Sequence, residues 1–180
     1  MSKVAIVTGG ARGIGRGCAL ELATRGYDIA LVDLLEPEMA RTRGEIEGKG
    51  RKALTYKADV SQFARAHEVV EDVARQWGHI DFLLNDAGGP NPKGILGLTR
   101  SLAKELGPKI MINAICPGVI ETELGNSLTK TRGDEMKRGI MLNRLGKPAD
   151  VAQLVAFLAT SEPCFITGQH FVIDGFQWSC

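Results

Sequence analysis

The residues whose identity and spacing most clearly indicate a chemical role form a glycine-rich turn near the N-terminus. Residues 8–15 read Thr-Gly-Gly-Ala-Arg-Gly-Ile-Gly and follow a short apolar run. Glycine lets a chain turn tightly and lets its backbone approach a ligand closely. The helix that follows would direct unpaired N–H groups and the positive end of its dipole towards an anion. The spacing therefore indicates a site for a pyrophosphate group.

An acidic residue stands where a partner for this turn is expected. Asp33 follows Gly15 by 18 residues and ends the next apolar run. A carboxylate there can accept hydrogen bonds from the ribose hydroxyls of adenosine and would repel a 2′-phosphate, so NAD is favoured over NADP. Two alternatives stay open: Asp33 could merely cap the following helix, and Arg12 and Arg16 could hold the phosphate of NADP.

Short apolar runs that alternate with amphipathic stretches must position these residues. The runs predict strands over 3–7, 28–33, 53–57, 80–84, 109–115 and 170–173. Helices are predicted over 14–24, 37–48, 94–106 and 149–159, with a further helix capped by Ser61. Continuous apolar strands between amphipathic helices are typical of a doubly wound parallel sheet that helices cover on both faces. The fold class is therefore α/β, and residues 1–180 are predicted to form a single domain.

Composition and charge exclude several classes of function. The 180 residues include 22 Lys and Arg against 21 Asp and Glu, a net charge of +1, which argues against an electrostatic nucleic-acid binder. No run approaches the roughly 20 apolar residues of a membrane span, and no secretory signal is evident. We therefore expect a cytoplasmic protein without a membrane partner. The four cysteines are widely spaced and indicate no metal site, and Cys18 and Cys116 are predicted to be small core residues.

Several motifs together resemble one family. They are the turn at residues 8–15, the acid Asp33, the triplet Ala58-Asp59-Val60 and the segment Asn85-Asp86-Ala87-Gly88. In this combination, and with residues 94–124 and 144–175 downstream, the chain resembles the short-chain dehydrogenase/reductase family. The resemblance implies a Rossmann-type sheet, a nicotinamide cofactor, and hydride transfer between NAD(H) and a carbonyl or secondary alcohol. It also implies a small-molecule substrate and a homodimer or homotetramer.

The resemblance assigns cofactor contacts along the whole chain. The turn would be formed by Gly9, Gly13, Ile14 and Gly15, with Arg12 beside it. Asp59 and Val60 would lie against the adenine, and Asn85, Ala87 and Gly88 would run beside the adenosine ribose. The nicotinamide would be flanked by Pro117, Gly118, Ile120 and Thr122. Asp86 replaces the second asparagine usual in its motif, a change expected to weaken local hydrogen bonding.

The catalytic residues of the family are not all present. The family uses a serine, a tyrosine and a lysine four residues after the tyrosine, and the tyrosine exchanges a proton with the substrate oxygen. This chain has two tyrosines, Tyr27 and Tyr56, and neither is followed by a lysine at that spacing. Lys93 lies near the place of the family lysine, although a gapless alignment puts Pro92 there. Lys93 is therefore the one catalytic candidate, without a serine or tyrosine partner.

An internal deletion near residues 88–94 would explain this absence. The family has several tens more residues between Gly88 and Gly94, which form a helix and a strand. Three explanations stay open: the sequence omits residues that the protein contains, the protein is a deletion variant, or it is a non-catalytic nucleotide-binding module. Omitted residues would leave an empty strand position between the fourth and fifth strands. In a continuous short chain these two strands could pair directly.

Overall fold

The computed structural model describes residues 2–87, 95–123, 133–162 and 165–177. Helices and strands alternate along most of this chain. No described helix is both long and apolar enough to cross a membrane. The strands are β1 (Lys3–Thr8), β2 (Tyr27–Asp33), β3 (Ala53–Lys57), β4 (Phe82–Asn85), β5 (Ala114–Pro117) and β6 (His170–Ile173). The main helices are α1 (Gly13–Thr24), α2 (Glu36–Glu47), α3 (Phe63–Trp77), α4 (Ile95–Leu106) and α5 (Pro148–Thr160).

The first four strands form one parallel sheet in the order β3-β2-β1-β4. In its register, Ala5 of β1 faces Ile29 of β2 on one side and Phe82 of β4 on the other. The central strands β1 and β2 are buried along most of their length, as their continuous apolar runs predicted. The predicted parallel α/β sheet of Rossmann type is confirmed, and its carboxyl edge carries the turn and Asp33.

The last two strands form a separate parallel sheet. β5 pairs with β6, from Ala114 opposite His170 to Pro117 opposite Ile173. Among the described residues, β4 and β5 belong to different sheets, so the direct pairing considered for a continuous short chain is not formed. The predicted strand over 109–115 is also wrong at its start. The amides of Lys109 and Ile110 donate to the Leu106 carbonyl and continue the turn after α4, so extended pairing begins only at Ala114.

Two apolar cores cover the faces of the first sheet. One face carries Leu31 and the buried residues of α1, α2 and α5. The other carries Ile6 and Val32 under α3, whose Val69 and Val73 are buried against them. The first core also includes Ile120, with Ile115 and Ile173 packed against it, so it extends to the second sheet. The two sheets are therefore joined through the face that α1 and α5 share.

The two sheets are connected through close packing of α1 against α5. A Cβ atom added at Gly17 would lie 2.8 Å from the Cβ of Pro148, the first residue of α5. Cys18 is fully buried beside this contact, as predicted, and burial raises the pKa of its thiol to about 12. Cys116 in β5 is only half-buried, because the strand has a described neighbour on one side alone. Its predicted core role is therefore only partly met.

Candidate functional site

The glycine-rich turn leaves β1 at Thr8 and enters α1 at Gly13. Its backbone is tightly packed: the Gly9 amide donates to the Val32 carbonyl at 2.9 Å, and a Cβ atom added at Gly15 would lie 2.2 Å from the Gly9 carbonyl oxygen. Gly9 and Gly13 have φ of 69° and 60°, where other residues are strained. The turn thus requires glycine, and it places the first N–H groups of α1 at the carboxyl edge of the sheet, where an anion can bind.

Asp33 ends β2, and its carboxylate accepts hydrogen bonds from backbone amides of the turn and of the connection to α2. One oxygen accepts a hydrogen bond from the Ala11 amide at 3.1 Å. The other accepts from the amides of Leu34 at 2.7 Å and Leu35 at 3.1 Å. These amides precede α2, and no side chain caps that helix. The alternative that Asp33 merely caps α2 is therefore wrong. Asp33 instead fixes the turn against the β2–α2 connection.

Arg12 in the turn and Arg16 in α1 each form an ion pair with a glutamate. Arg12 Nη1 lies 2.6 Å from Glu123 Oε2, and Arg16 Nη2 lies 2.5 Å from Glu45 Oε2. Both pairs are partly exposed, so each contributes little to stability. The pairs matter for ligand binding, because the two positive charges that could attract a phosphate near Asp33 already have anionic partners.

The segment after β4 lies against the turn. The Thr8 hydroxyl oxygen accepts hydrogen bonds from the amides of Asp86 at 3.0 Å and Ala87 at 3.1 Å. A Cβ atom added at Gly9 would lie 3.0 Å from the Ala87 nitrogen. Asn85, the last residue of β4, stands opposite Thr8 in the sheet register. The structure thus brings two predicted contact residues, Asn85 and Ala87, beside the turn, and the aspartate at position 86 leaves these backbone hydrogen bonds in place.

Asp59 and Val60 follow β3 at the same edge of the sheet. The Asp59 carboxylate accepts hydrogen bonds from the Ser61 hydroxyl at 2.7 Å and the Ser61 amide at 3.0 Å, which hold the pKa of Asp59 below its usual range. Val60 packs against the core beneath α3. The predicted cap at Ser61 is wrong: α3 is preceded by Gln62 and has no side-chain cap, because the Ser61 hydroxyl is bound to Asp59.

The segment from Pro117 to Thr122 leaves β5 and is anchored by backbone contacts. The Gly118 amide donates to the Ile173 carbonyl at 2.9 Å, which extends the β5–β6 pairing by one hydrogen bond. Ile120 is 6% exposed and enters the first core, where it forms an isolated bridge with Gly146. The segment is therefore held in place although its sheet has only two strands.

This segment reaches the glycine-rich turn. Thr122 Cγ2 lies 3.4 Å from the position that a Cβ atom at Gly13 would take. The neighbouring residues Arg12 and Glu123 form an ion pair, which also links the turn to this segment. Residues predicted to contact the pyrophosphate and residues predicted to flank the nicotinamide therefore lie close together at one edge of the protein.

The remaining catalytic candidates do not complete this site. The Tyr27 hydroxyl is committed to the Ala159 carbonyl at 2.7 Å, and the Tyr56 hydroxyl to Asp72 at 2.8 Å. Burial, with the bond to Asp72, raises the pKa of Tyr56. Both tyrosines therefore have structural partners away from the turn. Lys93 and Gly88 lie outside the described residues.

Three contacts of the site escaped sequence analysis. They are the pairing of Arg12 with Glu123, the pairing of Arg16 with Glu45, and the approach of the Asp86 carboxylate to Gly15. Each joins residues 29 or more positions apart, so no local pattern marks it. Only the third contact had a signal in the sequence, which was the aspartate at position 86 in place of the usual asparagine. A charge at that place interacts with the nearby helix N-terminus.

Comparisons with known proteins agree with this geometry. The short chain dehydrogenase family profile matches residues 3–96, and the enoyl-(acyl carrier protein) reductase profile matches residues 92–175. The two matches meet at the proposed deletion. A short-chain dehydrogenase/reductase of the glucose/ribitol dehydrogenase type from Brucella melitensis has a TM-score of 0.92 at 25% identity, covering 99% of this chain and 97% of that one.

Curated relatives add a measure of length. An (S)-acetoin-forming diacetyl reductase of Staphylococcus epidermidis is 29% identical over 252 aligned positions, which cover 97% of this chain and 98% of the relative. The 3-oxoacyl-acyl-carrier-protein reductase FabG of that species is 29% identical over 240 positions, with the same coverage. The first alignment exceeds the 180 residues of this chain by 72 positions, so the relative has residues that this chain lacks. With one family profile matching residues 3–96, this chain belongs to the short-chain dehydrogenase/reductase family of oxidoreductases.

Proposed function

We propose that this protein binds NAD(H) across the turn at residues 9–15 and interconverts a small carbonyl compound with its secondary alcohol. The contact of Gly13 with Thr122 carries the proposal, because it joins the pyrophosphate turn to the segment expected to flank the nicotinamide. The names of the relatives, a diacetyl reductase and a 3-oxoacyl reductase, support a carbonyl substrate.

The described residues fit such a cofactor. The backbone of the turn offers amides and no side-chain bulk, as the close packing of Gly9 and Gly15 requires. When bound, the nicotinamide supplies or accepts a hydride. The chain would bind the two halves and orient them. The proposed contacts are Gly9, Arg12, Gly13, Ile14 and Gly15 at the pyrophosphate, Asp33, Asp59, Val60, Asn85, Ala87 and Gly88 at the adenosine, and Pro117, Gly118, Ile120 and Thr122 at the nicotinamide.

The preference for NAD over NADP rests on charge. Asp33 would place a carboxylate where the 2′-phosphate of NADP must lie, and Arg12 and Arg16 are already paired with glutamates. Two proteins of similar fold are described with NADPH, a bacilysin-pathway reductase with TM-score 0.94 and an actinorhodin ketoreductase with TM-score 0.90. At 18% and 22% identity these show the fold alone, so the cofactor is decided by titration.

Proton transfer to the substrate oxygen is the step for which this chain has the fewest candidate residues. Lys93 is the proposed proton donor, and a bound water is the alternative. A second candidate function, a dinucleotide-binding module without turnover, is favoured by the commitment of both tyrosine hydroxyls to Ala159 and Asp72. The deletion near residues 88–94 is the proposed reason that no tyrosine stands beside the nicotinamide segment.

The experiment begins with chain length and binding. Mass spectrometry must give about 19.4 kDa for the purified protein. Titration should show tighter binding of NAD than of NADP. Asp33→Ser should narrow that difference by about 1–3 kcal/mol, the range of charged hydrogen bonds. The exposed Asp134→Ser serves as the charge control and should leave the difference unchanged. Tighter binding of NADP by the unsubstituted protein would contradict the preference.

A glycine pair tests where the dinucleotide binds. Gly13→Val should abolish NAD binding, because a valine there is strained and points towards Thr122. Gly50→Val has a similar positive φ of 74° but meets no atom within 4 Å, so it should retain binding despite similar backbone strain. Binding that survives in the first variant would place the anion elsewhere.

Turnover separates the two candidate functions. NADH oxidation in the presence of diacetyl supports the enzyme. Its loss in both Lys93→Met and Lys93→Arg supports Lys93 as the donor, because arginine keeps the charge but does not release a proton, whereas activity retained in Lys93→Arg would contradict that role. Binding of NAD without oxidation of NADH by diacetyl or a 3-oxoacyl thioester supports the module.

A further inference from the structure

Asp86 places a carboxylate at the N-terminus of α1. It faces the backbone amide of Gly15, the third residue of the helix. Its Oδ2 lies 2.9 Å from the position that a Cβ atom at Gly15 would take. Arg12, the residue before the helix, provides no side-chain cap. Asp86, the residue after β4, therefore stands where a side chain that caps this helix end would stand.

The surroundings of Asp86 disfavour its charged form. Burial raises the pKa of Asp86 to about 6, the Gly15 amide opposes this rise, and the negative charge of Asp33 adds to it. On the α1 side the facing group is the Cys18 thiol, whose pKa of about 12 keeps it neutral in this range. On the β1 side it is the uncharged Thr8 hydroxyl, whose oxygen binds the Asp86 amide.

The cations nearest along the turn and helix do not offset this charge. Arg12 is paired with Glu123, and Arg16 with Glu45. Among the described residues, the charged group that acts on Asp86 through space is thus Asp33, an anion. Asp86 is therefore placed to change its charge near neutral pH.

A pyrophosphate at the turn would share this helix end with Asp86. Both are anions, and both are stabilised by the N–H groups and dipole of the first turn of α1. An ionised Asp86 would therefore repel the ligand and compete with it for the same field. A protonated Asp86 would do neither.

We propose that Asp86 couples dinucleotide binding to pH, because its carboxyl takes up a proton when the pyrophosphate occupies the turn. The inference rests on the proposed binding of NAD at residues 9–15. The proton comes from solvent, and the neutral carboxyl remains beside Gly15 in the complex. Asp86 is a positioning residue in this proposal, since it acts on the ligand through the turn.

The direction of the effect follows from linkage. Binding of an anion raises the pKa of Asp86 further, so affinity is greatest below the value of about 6 in the free protein. Affinity then falls as the pH rises and levels off above the pKa of the complex. If the ligand raises that pKa by one unit, the two plateaus differ by about tenfold.

Calorimetric titration with NAD between pH 5.5 and 8 tests the proposal. The unsubstituted protein should bind about tenfold more weakly at pH 8 than at pH 5.5, and titrations in buffers of different ionisation enthalpy should detect proton uptake near pH 6.5. Asp86→Asn should show a flat profile and bind more tightly than the unsubstituted protein at pH 8. Asp134→Asn, which removes an exposed charge, should keep the original slope. The same slope in the unsubstituted protein and in Asp86→Asn would overturn the proposal, although the proposed function would stand.

The free protein supplies a second measurement. A carboxyl whose pKa is raised by folding destabilises the fold once it ionises, so Asp86→Asn should raise Tm at pH 8 and have less effect near pH 5. An equal effect at both values would overturn the assigned titration. If that profile is found but NAD does not bind at any pH, the titration of Asp86 stands, while the proposed function and the coupling that rests on it both fail.

Discussion

The two sheets of this protein differ in how completely helices cover them. In the four-stranded sheet, Val7 and Leu31 are fully buried, because α1 and α2 pack on one face and α3 on the other. In the two-stranded sheet, Val172 is 52% exposed, and β6 alternates between exposed and half-buried residues. The same α/β construction thus gives a closed core where helices flank both faces, whereas the described residues leave the second sheet more open.

The boundary between the sheets shows the cause. Ile6 of β1 and Leu83 of β4 are neighbours in register on the same face, yet Ile6 is 2% exposed and Leu83 50%. Burial is therefore lost within one strand spacing, at the strand that precedes the proposed deletion near residues 88–94. β4 and β5 each have one described strand neighbour, and such edges are open to further pairing.

A matched valine pair should give the largest difference between the sheets. Val7→Ala removes buried methyl groups from a central strand and should lower the free energy of unfolding by about 2–4 kcal/mol. Val172→Ala removes the same atoms from a half-exposed position and should lower it by under about 1 kcal/mol. Urea denaturation of both variants measures the two values. Equal losses would mean that the second sheet is as well covered as the first.

The buried ionic contacts of the first sheet should give the next effect. Burial would raise the pKa of Asp28, but hydrogen bonds from Ser2, the Lys52 amide and Arg51 outweigh burial and hold the pKa below its usual range. A depressed pKa stabilises the fold above the unfolded value, and the benefit is lost as pH falls through the folded one. Asp28→Asn should therefore cost about 1.5–3 kcal/mol at pH 7, the range of hydrogen bonds to charged groups, and progressively less below pH 4.

The matched carboxylate beside the second sheet is Asp150. It binds Arg144 through two hydrogen bonds at 2.7 and 2.9 Å, but the arginine side chain is half exposed and the pair is screened by solvent. Asp150→Asn should therefore lose less stability than Asp28→Asn at pH 7. Thermal melts from pH 3 to pH 7 compare the two variants, and a larger loss for Asp150 would contradict the contrast.

The helix contact that joins the sheets should give a smaller effect. Gly17→Ala places a methyl group 2.8 Å from Pro148 and should lower the free energy of unfolding by about 1–2 kcal/mol, because α1 and α5 must separate. Gly44→Ala in α2 meets no atom within 4 Å and should stabilise by about 0.5–1 kcal/mol through helix propensity alone. Chemical denaturation gives both values. A gain in stability for Gly17→Ala would show that the join between the sheets adapts freely.

Local patterns in the sequence predicted most of the elements and the turn. The period of apolar residues located β1, β2, β3 and β6 to within one residue. Phe82, two residues later than expected, begins β4, and the strand predicted from residue 109 begins at Ala114. Pairing with a neighbouring strand, rather than composition alone, decides where these two strands start.

The sequence by itself determined the glycine-rich turn, the acid at Asp33 and the α/β class, because each depends on residue types at fixed short spacings. Tertiary structure alone decided that the strands divide into two sheets and that Thr122 reaches Gly13. It also decided that the Asp86 carboxylate lies against Gly15 at the start of α1. These contacts join residues about 70 or more positions apart, and they depend on how α1 and α5 pack between the sheets. Packing is a property of the assembled surfaces, which no local run of residues specifies.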